Sequence, residues 1–235
     1  GGPMMGELVK DPEGALVTKT CGGVLVLPSN HRLAALAGLP LSHMKNRAKA
    51  ACIQCRYCTD LCPRYLLGHA LYPHKAMRAF AMGQTEPSAL LCMECGICEL
   101  YACPMGLSPR RVQAGMKAEL RQRGAVPDKT LIPVQELTRD GRQVPAKRLA
   151  VQIGVSAYDL PVPAEAFGVS PARVRVPLKQ HIGAPARPVV AAGDRVMAGQ
   201  TVGCMDDGAL GANVHASVEG LVTRVDESVW IEREV

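Results

Sequence analysis

The stretch Cys52-Ile-Gln-Cys55-Arg-Tyr-Cys58-Thr-Asp-Leu-Cys62-Pro63 has the spacing C-x2-C-x2-C-x3-C-P. Three cysteines at three-residue intervals allow one loop to wrap one face of a metal cluster and to bind three of its irons. The fourth cysteine leaves that loop, and the proline after it begins a helix. This is the spacing of bacterial proteins with two [4Fe–4S] clusters, in which the fourth cysteine binds the other cluster.

A second run follows at Cys92-Met-Glu-Cys95-Gly-Ile-Cys98-Glu-Leu-Tyr-Ala-Cys103-Pro104, and its last gap holds four residues instead of three. We therefore expect a slightly longer loop before Cys103. Two runs that exchange their fourth ligands predict two [4Fe–4S] clusters bound by eight of the ten cysteines. The predicted ligands are Cys52, Cys55, Cys58 and Cys103 for the first cluster, and Cys92, Cys95, Cys98 and Cys62 for the second. Because the exchange joins the two halves, folding and metal binding are expected to be coupled.

Other uses of clustered cysteines fit this pattern less well. A zinc site favours two C-x2-C pairs with a long spacer, and haem attachment needs a histidine directly after a C-x-x-C pair. The sequence shows no signal peptide, so a disulfide framework is not expected. Cys21 and Cys204 stand apart from both runs and are interpreted as small buried or strand-end residues.

Composition and missing motifs argue against several classes of function. The 235 residues carry a formal net charge of +6 and 3% aromatic residues, without a dense basic run, so no nucleic-acid partner is expected. No apolar run approaches the ~18 residues of a membrane span. No phosphate-binding glycine motif and no D-x-H-x-x-G corrinoid signature occurs. No lysine follows Lys179 to carry biotin or lipoate, and no catalytic residue is predicted.

Hydrophobic periodicity and turn residues predict an α+β fold, with a helical dicluster ferredoxin-like domain followed by a small all-β domain. Two short strands are expected near the start, at residues 15–18 and 24–27. Helices are predicted over 29–50 with a break at Pro40, from Tyr72-Pro73 to Gly83, from Ser108-Pro109 to Gly124, and over 146–153. After Ser170 the pattern changes to period two, which is typical of strands.

Several cationic side chains lie close to the ligands in sequence. Arg56, Arg64 and Lys75 could raise the reduction potential of a cluster through their charge or through hydrogen bonds to sulfur, or they could lie on a solvated face. His69 and His74 are the histidines nearest the clusters and are interpreted as surface or capping residues.

Three stretches of the second half resemble the RnfC subunit of the Rnf electron-transport complex. They are Val176-Pro-Leu-Lys-Gln-His-Ile-Gly-Ala-Pro185, Val189-Val-Ala-Ala-Gly-Asp-Arg-Val-Met-Ala-Gly199 and Val214-His-Ala-Ser-Val-Glu-Gly220. The opening Gly1-Gly2-Pro3-Met4-Met5-Gly6 resembles the end of the SLBB domain in RnfC and in the flavin-carrying subunit of respiratory complex I. In RnfC the barrel-sandwich precedes the clusters, whereas here it follows them. That order, with Cys62-Pro-Arg-Tyr-Leu-Leu-Gly-His69, is similar to the cobalamin reductases of propanediol-utilisation microcompartments.

The resemblance implies four segments, namely 1–30 as the end of an SLBB-like domain, 31–125 as the ferredoxin-like domain, 126–170 as a connector and 171–235 as a barrel-sandwich domain. Only the eight cysteine ligands carry over from the family. Its members also have an FMN- and NADH-binding domain, which is expected here on a missing upstream domain or on a separate partner chain.

The implied function is a relay of single electrons from that flavin site to cobalamin or a corrinoid protein, in support of an adenosylcobalamin-dependent diol dehydratase. Microcompartment shell or adenosyltransferase proteins are implied as further partners, and the implied location is the cytoplasm, inside a bacterial microcompartment. Two alternatives remain open: a subunit of an Rnf-like NADH:ferredoxin membrane complex, and an iron–sulfur protein that acts on nucleic acid.

Overall fold

The computed structural model describes residues 2–128, 130, 132–161 and 168–233. Contacts divide the chain into two compact units. The first, called the cysteine unit, comprises Gly1–Leu8 and Leu25–Pro161. The second, called the β unit, comprises Val9–Val24 and Val162–Val235. The α+β fold class is confirmed.

The described part of the cysteine unit is built from helices and irregular loops. Its α-helices are α1 (Gly2–Met5), α2 (Arg32–Gly38), α3 (Leu41–Ala51), α4 (Tyr57–Asp60), α5 (Pro63–Leu66), α6 (Pro73–Ala81), α7 (Ile97–Leu100), α8 (Pro109–Gln122) and α9 (Ala146–Ile153). Short 3₁₀ helices lie at Pro87–Leu91, Asp140–Arg142 and Ser156–Tyr158.

The helix boundaries follow local signals in the sequence. Pro40 separates α2 from α3, because proline cannot donate the backbone hydrogen bond that would continue a helix. Pro73 and Pro109 occupy the first helical positions of α6 and α8, as predicted. Gly154 ends α9 in the left-handed conformation that glycine adopts without steric cost. One predicted detail was wrong: the cap of α2 is His31, whose side chain accepts a hydrogen bond from the backbone N–H of Leu33, and not Asn30.

Helices α3, α6 and α8 pack around one apolar core. Its buried residues are Met44, Ala48, Ala76, Met77, Ala89, Leu90, Leu107, Val112, Met116 and Leu120. Alanines at three of these positions let the helix backbones approach closely, and the methionines fill the irregular space that remains. This core supports the loops that carry the cysteines, since Cys52 and Cys103 pack against it.

The β unit contains two antiparallel sheets. Its strands are β1 (Arg173–Pro177), β2 (Arg187–Pro188), β3 (Arg195–Val196), β4 (Thr201–Cys204), β5 (Val214–His215), β6 (Gly220–Val225) and β7 (Ser228–Glu232). One sheet has the order β1-β7-β6-β3 and the other β2-β4-β5. The inward residues are mostly valine, among them Val202, Val222 and Val229, which are fully buried. Period-two alternation in the sequence therefore located this core.

Two of the predicted strands do not form. Residues 15–18 and 24–27 are turn or irregular backbone, and Val17, Val24 and Val26 are 83%, 79% and 81% exposed. A strand is stable only when a neighbour takes up its backbone hydrogen bonds and one of its faces is buried. Apolar alternation alone did not supply such a neighbour.

Gly68 marks a close approach of two backbones within the cysteine unit. Its φ is +90°, and a Cβ at this position would collide with the backbone of Val134. We expect Gly68→Ala to lower the free energy of unfolding by at least ~1 kcal/mol, because both the dihedral angle and the contact oppose a side chain. Urea unfolding followed by helical circular dichroism measures the change. Gly38→Ala, at the end of α2 with open space around it, is the control and is expected to be neutral or slightly stabilising.

Candidate metal centre

Cysteines from both runs line a first cavity. Cys52, Cys55 and Cys58 of the first run and Cys103 of the second run lie around it. His74 and Met77 of α6 and Leu107 form further parts of its wall. The structure therefore brings the four predicted ligands of the first cluster to one place, although Cys103 is separated from the others by the whole second run.

A second cavity is lined by the other four predicted ligands. Cys92, Cys95 and Cys98 surround it together with Cys62 from the first run. Arg64, Arg110 and Gln113 also line it. Within the described residues, no three Cys, His, Asp or Glu side chains converge tightly enough to hold a single metal ion. The thiols instead surround the two cavities.

The two loops have the same backbone shape. Positive φ angles occur at Gln54 (54°) and Arg56 (68°) in the first run, and at Glu94 (59°) and Gly96 (86°) at the matching positions of the second. Residues other than glycine rarely adopt this conformation. Here it turns each C-x2-C-x2-C loop around its cavity. The repetition shows that both loops are built for the same kind of group.

The longer gap before Cys103 is absorbed by one wider turn. In the first run the N–H of Cys62 donates to the carbonyl of Thr59 over 2.9 Å. In the second run the N–H of Ala102 donates to the carbonyl of Ile97, five residues back, over 2.9 Å. The extra residue therefore lies within the turn that follows α7.

Burial raises the pKa of several of these thiols. The pKa of Cys58 is raised to about 12, first by burial and then by the charges of Cys103, Cys55 and Cys52. Burial likewise raises the pKa of Cys62 to about 11, with Cys95 and Cys92 adding to it. The pKa of Cys98 is raised furthest above its ordinary value, by burial and then by Cys62 and Cys92. Four buried thiolates repel one another, so a site of this kind becomes stable when metal supplies positive charge.

Several N–H groups donate to the cysteine sulfurs. The side chain of Gln54 donates to Cys52 Sγ over 3.1 Å, and the backbone of Leu107 donates to Cys103 Sγ over 3.3 Å. In the second loop the backbone of Glu94 donates to Cys92 Sγ over 3.4 Å. Such bonds stabilise negative charge on sulfur and orient metal ligands.

Sequence reasoning missed a set of charged residues beside the second cavity. Glu99 is 2% exposed; its carboxylate lies 3.6 Å from Arg110, and it accepts from the backbone of Arg111 over 3.4 Å. Burial raises the pKa of Glu99, and Arg110 opposes that rise. Lys117 donates to Glu94 over 2.9 Å and to the carbonyl of Cys92 over 2.6 Å. Arg110 and Lys117 lie on α8, outside both cysteine runs, so spacing within the runs gave no sign of them.

The structure separates the cationic residues that the sequence grouped together. Arg64 lines the second cavity. Arg56 lines the first, but its side chain is 52% exposed and lies 3.7 Å from Asp60. Lys75 lies away from the cavity linings, with its Nζ 4.1 Å from the centre of the Tyr72 ring.

The two histidines nearest the ligands are held by specific partners. His74 is pinned by Thr59, whose hydroxyl lies 2.7 Å from Nδ1, and burial lowers the pKa of this histidine. His69 lies with its Nε2 2.9 Å from Arg64.

The cavities fit iron–sulfur clusters in two respects. Each has four converging thiols, the donors that hold a [4Fe–4S] group. The second also contains two buried N–H groups without an acceptor, Nε of Arg64 and Nε of Arg110. A buried donor ordinarily finds a partner, and cluster sulfur would supply one. When bound, such clusters would supply one-electron transfer.

Two domain families match the chain. Residues 51–108 match the 4Fe-4S dicluster domain. Residues 165–234 match the RnfC barrel sandwich hybrid domain. The cysteine unit is therefore an iron–sulfur domain, and the predicted barrel-sandwich class of the C-terminal part is confirmed.

Curated relatives of two kinds are similar to this chain. It is 43% identical over 232 residues to the cobalamin reductase PduS of Salmonella typhimurium, and 41% identical to that of Citrobacter freundii. Each alignment covers 97% of this chain and 51% of the relative, so the chain spans about half the length of the curated relatives it matches. The RnfC-type subunit of the Na(+)-translocating ferredoxin:NAD(+) oxidoreductase complex of Acetobacterium woodii is 48% identical over 61 residues, 26% of this chain and 14% of that protein. The resemblance to the cobalamin reductases and to RnfC is confirmed.

No helix in the described ranges, which omit 129, 131, 162–167 and the terminal residues 1, 234 and 235, is long and apolar enough to cross a membrane.

Proposed function

We propose that this chain is the electron-transfer part of a cobalamin-reductase-type oxidoreductase and that it binds two [4Fe–4S] clusters. Cys52, Cys55, Cys58 and Cys103 would hold one, and Cys62, Cys92, Cys95 and Cys98 would hold the other. The observation that carries the proposal is the presence of two cavities, each lined by three cysteines of one run and the last cysteine of the other.

The electron source would lie outside this chain. NADH would reduce a flavin on an upstream domain or a partner chain, and this chain would then relay single electrons to cobalamin or to a corrinoid protein. The name of the Salmonella and Citrobacter relatives supports this acceptor. Work with diol dehydratase, adenosyltransferase and shell proteins inside a microcompartment is part of the same proposal and rests on the likeness to these relatives.

A single anaerobic preparation tests the core of this proposal. We expect roughly eight irons and eight acid-labile sulfides per chain, and interacting S = 1/2 signals in the EPR spectrum after dithionite reduction. The reduced, desalted protein mixed with cob(III)alamin is expected to give up to two electrons per chain and to form cob(II)alamin, which absorbance records. Stoichiometric zinc, or about four irons and one isolated signal, would contradict the two-cluster assignment.

A second candidate is a role as one component of an Rnf-like complex. The match to the RnfC barrel sandwich domain and the 48% identity to the Acetobacterium protein over 61 residues favour it. The acceptor distinguishes the two. Rapid electron transfer to a ferredoxin, combined with none to cob(III)alamin, would favour the Rnf-like function.

A further inference from the structure

The second cavity contains two arginines whose Nε–H groups have no partner. Nε of Arg64 and Nε of Arg110 are both buried and unpaired. The other guanidinium nitrogens are anchored: those of Arg64 by His69 at 2.9 Å, and those of Arg110 by the carbonyl of Met4 at 2.9 Å and by Glu99 at 3.6 Å. Both side chains are therefore held in place while one donor of each remains free beside the thiols.

The charges around this cavity leave one arginine without a carboxylate. Glu94 pairs with Lys117 at 2.9 Å, and Glu99 pairs with Arg110 at 3.6 Å. No ion pair joins Arg64 to a carboxylate within the part of the chain that the structure describes. Its positive charge therefore acts on the cavity with little cancellation, and burial reduces the screening by water.

The first cavity lacks this arrangement. Of the described residues that line it, Arg56 is the only arginine or lysine. Arg56 is 52% exposed and shares Asp60 with Arg142, at 3.7 and 3.4 Å. Water and the carboxylate both weaken its field at the thiols. The two cavities thus have similar loops but different electrostatic surroundings.

We propose that Arg64 and Arg110 donate their Nε–H groups to the cluster held by Cys62, Cys92, Cys95 and Cys98, and that this cluster is thereby the more easily reduced of the two. This inference rests on the proposed two-cluster function. Reduction adds one negative charge to a cluster, and nearby positive charge and hydrogen bonds to sulfur stabilise the reduced form. A single electron added to the chain would then reside at this cluster.

The test is a potentiometric titration of the anaerobic protein followed by EPR. We expect two separate reduction waves. Arg64→Gln is expected to lower the equilibrium constant of the higher-potential wave at least tenfold, about 59 mV for a one-electron couple, and to leave the other wave in place. Arg110→Gln is expected to move the same wave in the same direction. Arg56→Gln is the matched control and is expected to move neither wave by this amount.

Two results would overturn the inference: a full iron content with both waves unmoved in Arg64→Gln, or a shift confined to the lower wave. Neither would touch the proposed function, which fails instead if the unaltered protein lacks roughly eight irons. Arg64→Lys keeps the charge but loses Nε, so it is expected to give a smaller shift of the same wave.

A second measurement needs no substitution. Protein labelled with ¹⁵N-arginine is poised so that only the higher wave is reduced, and its hyperfine couplings are recorded by pulsed EPR. We expect couplings from arginine nitrogen in this state. Couplings that arise only after the second wave is reduced would place the arginines at the wrong cluster and overturn the inference.

Discussion

Cys103→Ala is expected to remove the same cluster as Cys55→Ala, although Cys103 belongs to the other sequence run. Both residues line the first cavity, and a cluster that loses one thiolate ligand is expected to be lost or degraded. Iron is expected to fall from roughly eight to roughly four atoms per chain in each variant. The EPR spectrum of the reduced protein is expected to retain one signal, the same in both.

The reciprocal pair makes the test complete. Cys62→Ala and Cys95→Ala are expected to leave the opposite signal, because both residues line the second cavity. If each run instead served its own cluster, Cys103→Ala would match Cys95→Ala. Cys204→Ala, in strand β4 of the β unit, is the control and is expected to retain both signals and all the iron.

Removing the iron is expected to unfold the cysteine unit and to leave the β unit folded. Helices α4, α5 and α7 have four residues each, which is too short to be stable without tertiary support. Their ends carry predicted ligands, and the buried thiols would lose the metal that holds them together. The β unit has a core of its own, with Val176, Val202 and Ile231 among its buried residues.

The single tryptophan allows the two units to be followed separately. Trp230 lies in β7 of the β unit, whereas every α-helix in the described residues lies in the cysteine unit. After chelation under anaerobic conditions we expect loss of most helical circular dichroism. The urea midpoint of Trp230 emission is expected to stay within ~0.5 kcal/mol of its original stability, the usual range for a distant, independent change. Loss of both signals together would contradict this prediction.

Much of the candidate centre was predictable because its information is local. The cysteine spacing, the prolines that open α6 and α8 and the glycine that ends α9 each act within a few residues, so the sequence states them directly. Period-two alternation predicted the β unit in the same way. The same reasoning was wrong at residues 15–27, where Val24 and Val26 alternate but no neighbouring strand is present to pair with them.

The environment of the two cavities could not be read from the sequence. Arg56 and Arg64 occupy similar positions beside the cysteines of one run, yet one is exposed and paired with Asp60 while the other lines the second cavity. Arg110 and Lys117 reach the second run only because α8 packs beside it. The sequence alone determined which thiols are available as ligands, since that depends on covalent spacing along the chain. Only the tertiary structure decided which cysteines share a cavity and which charges are buried beside them, because burial and pairing depend on segments distant in sequence being packed together.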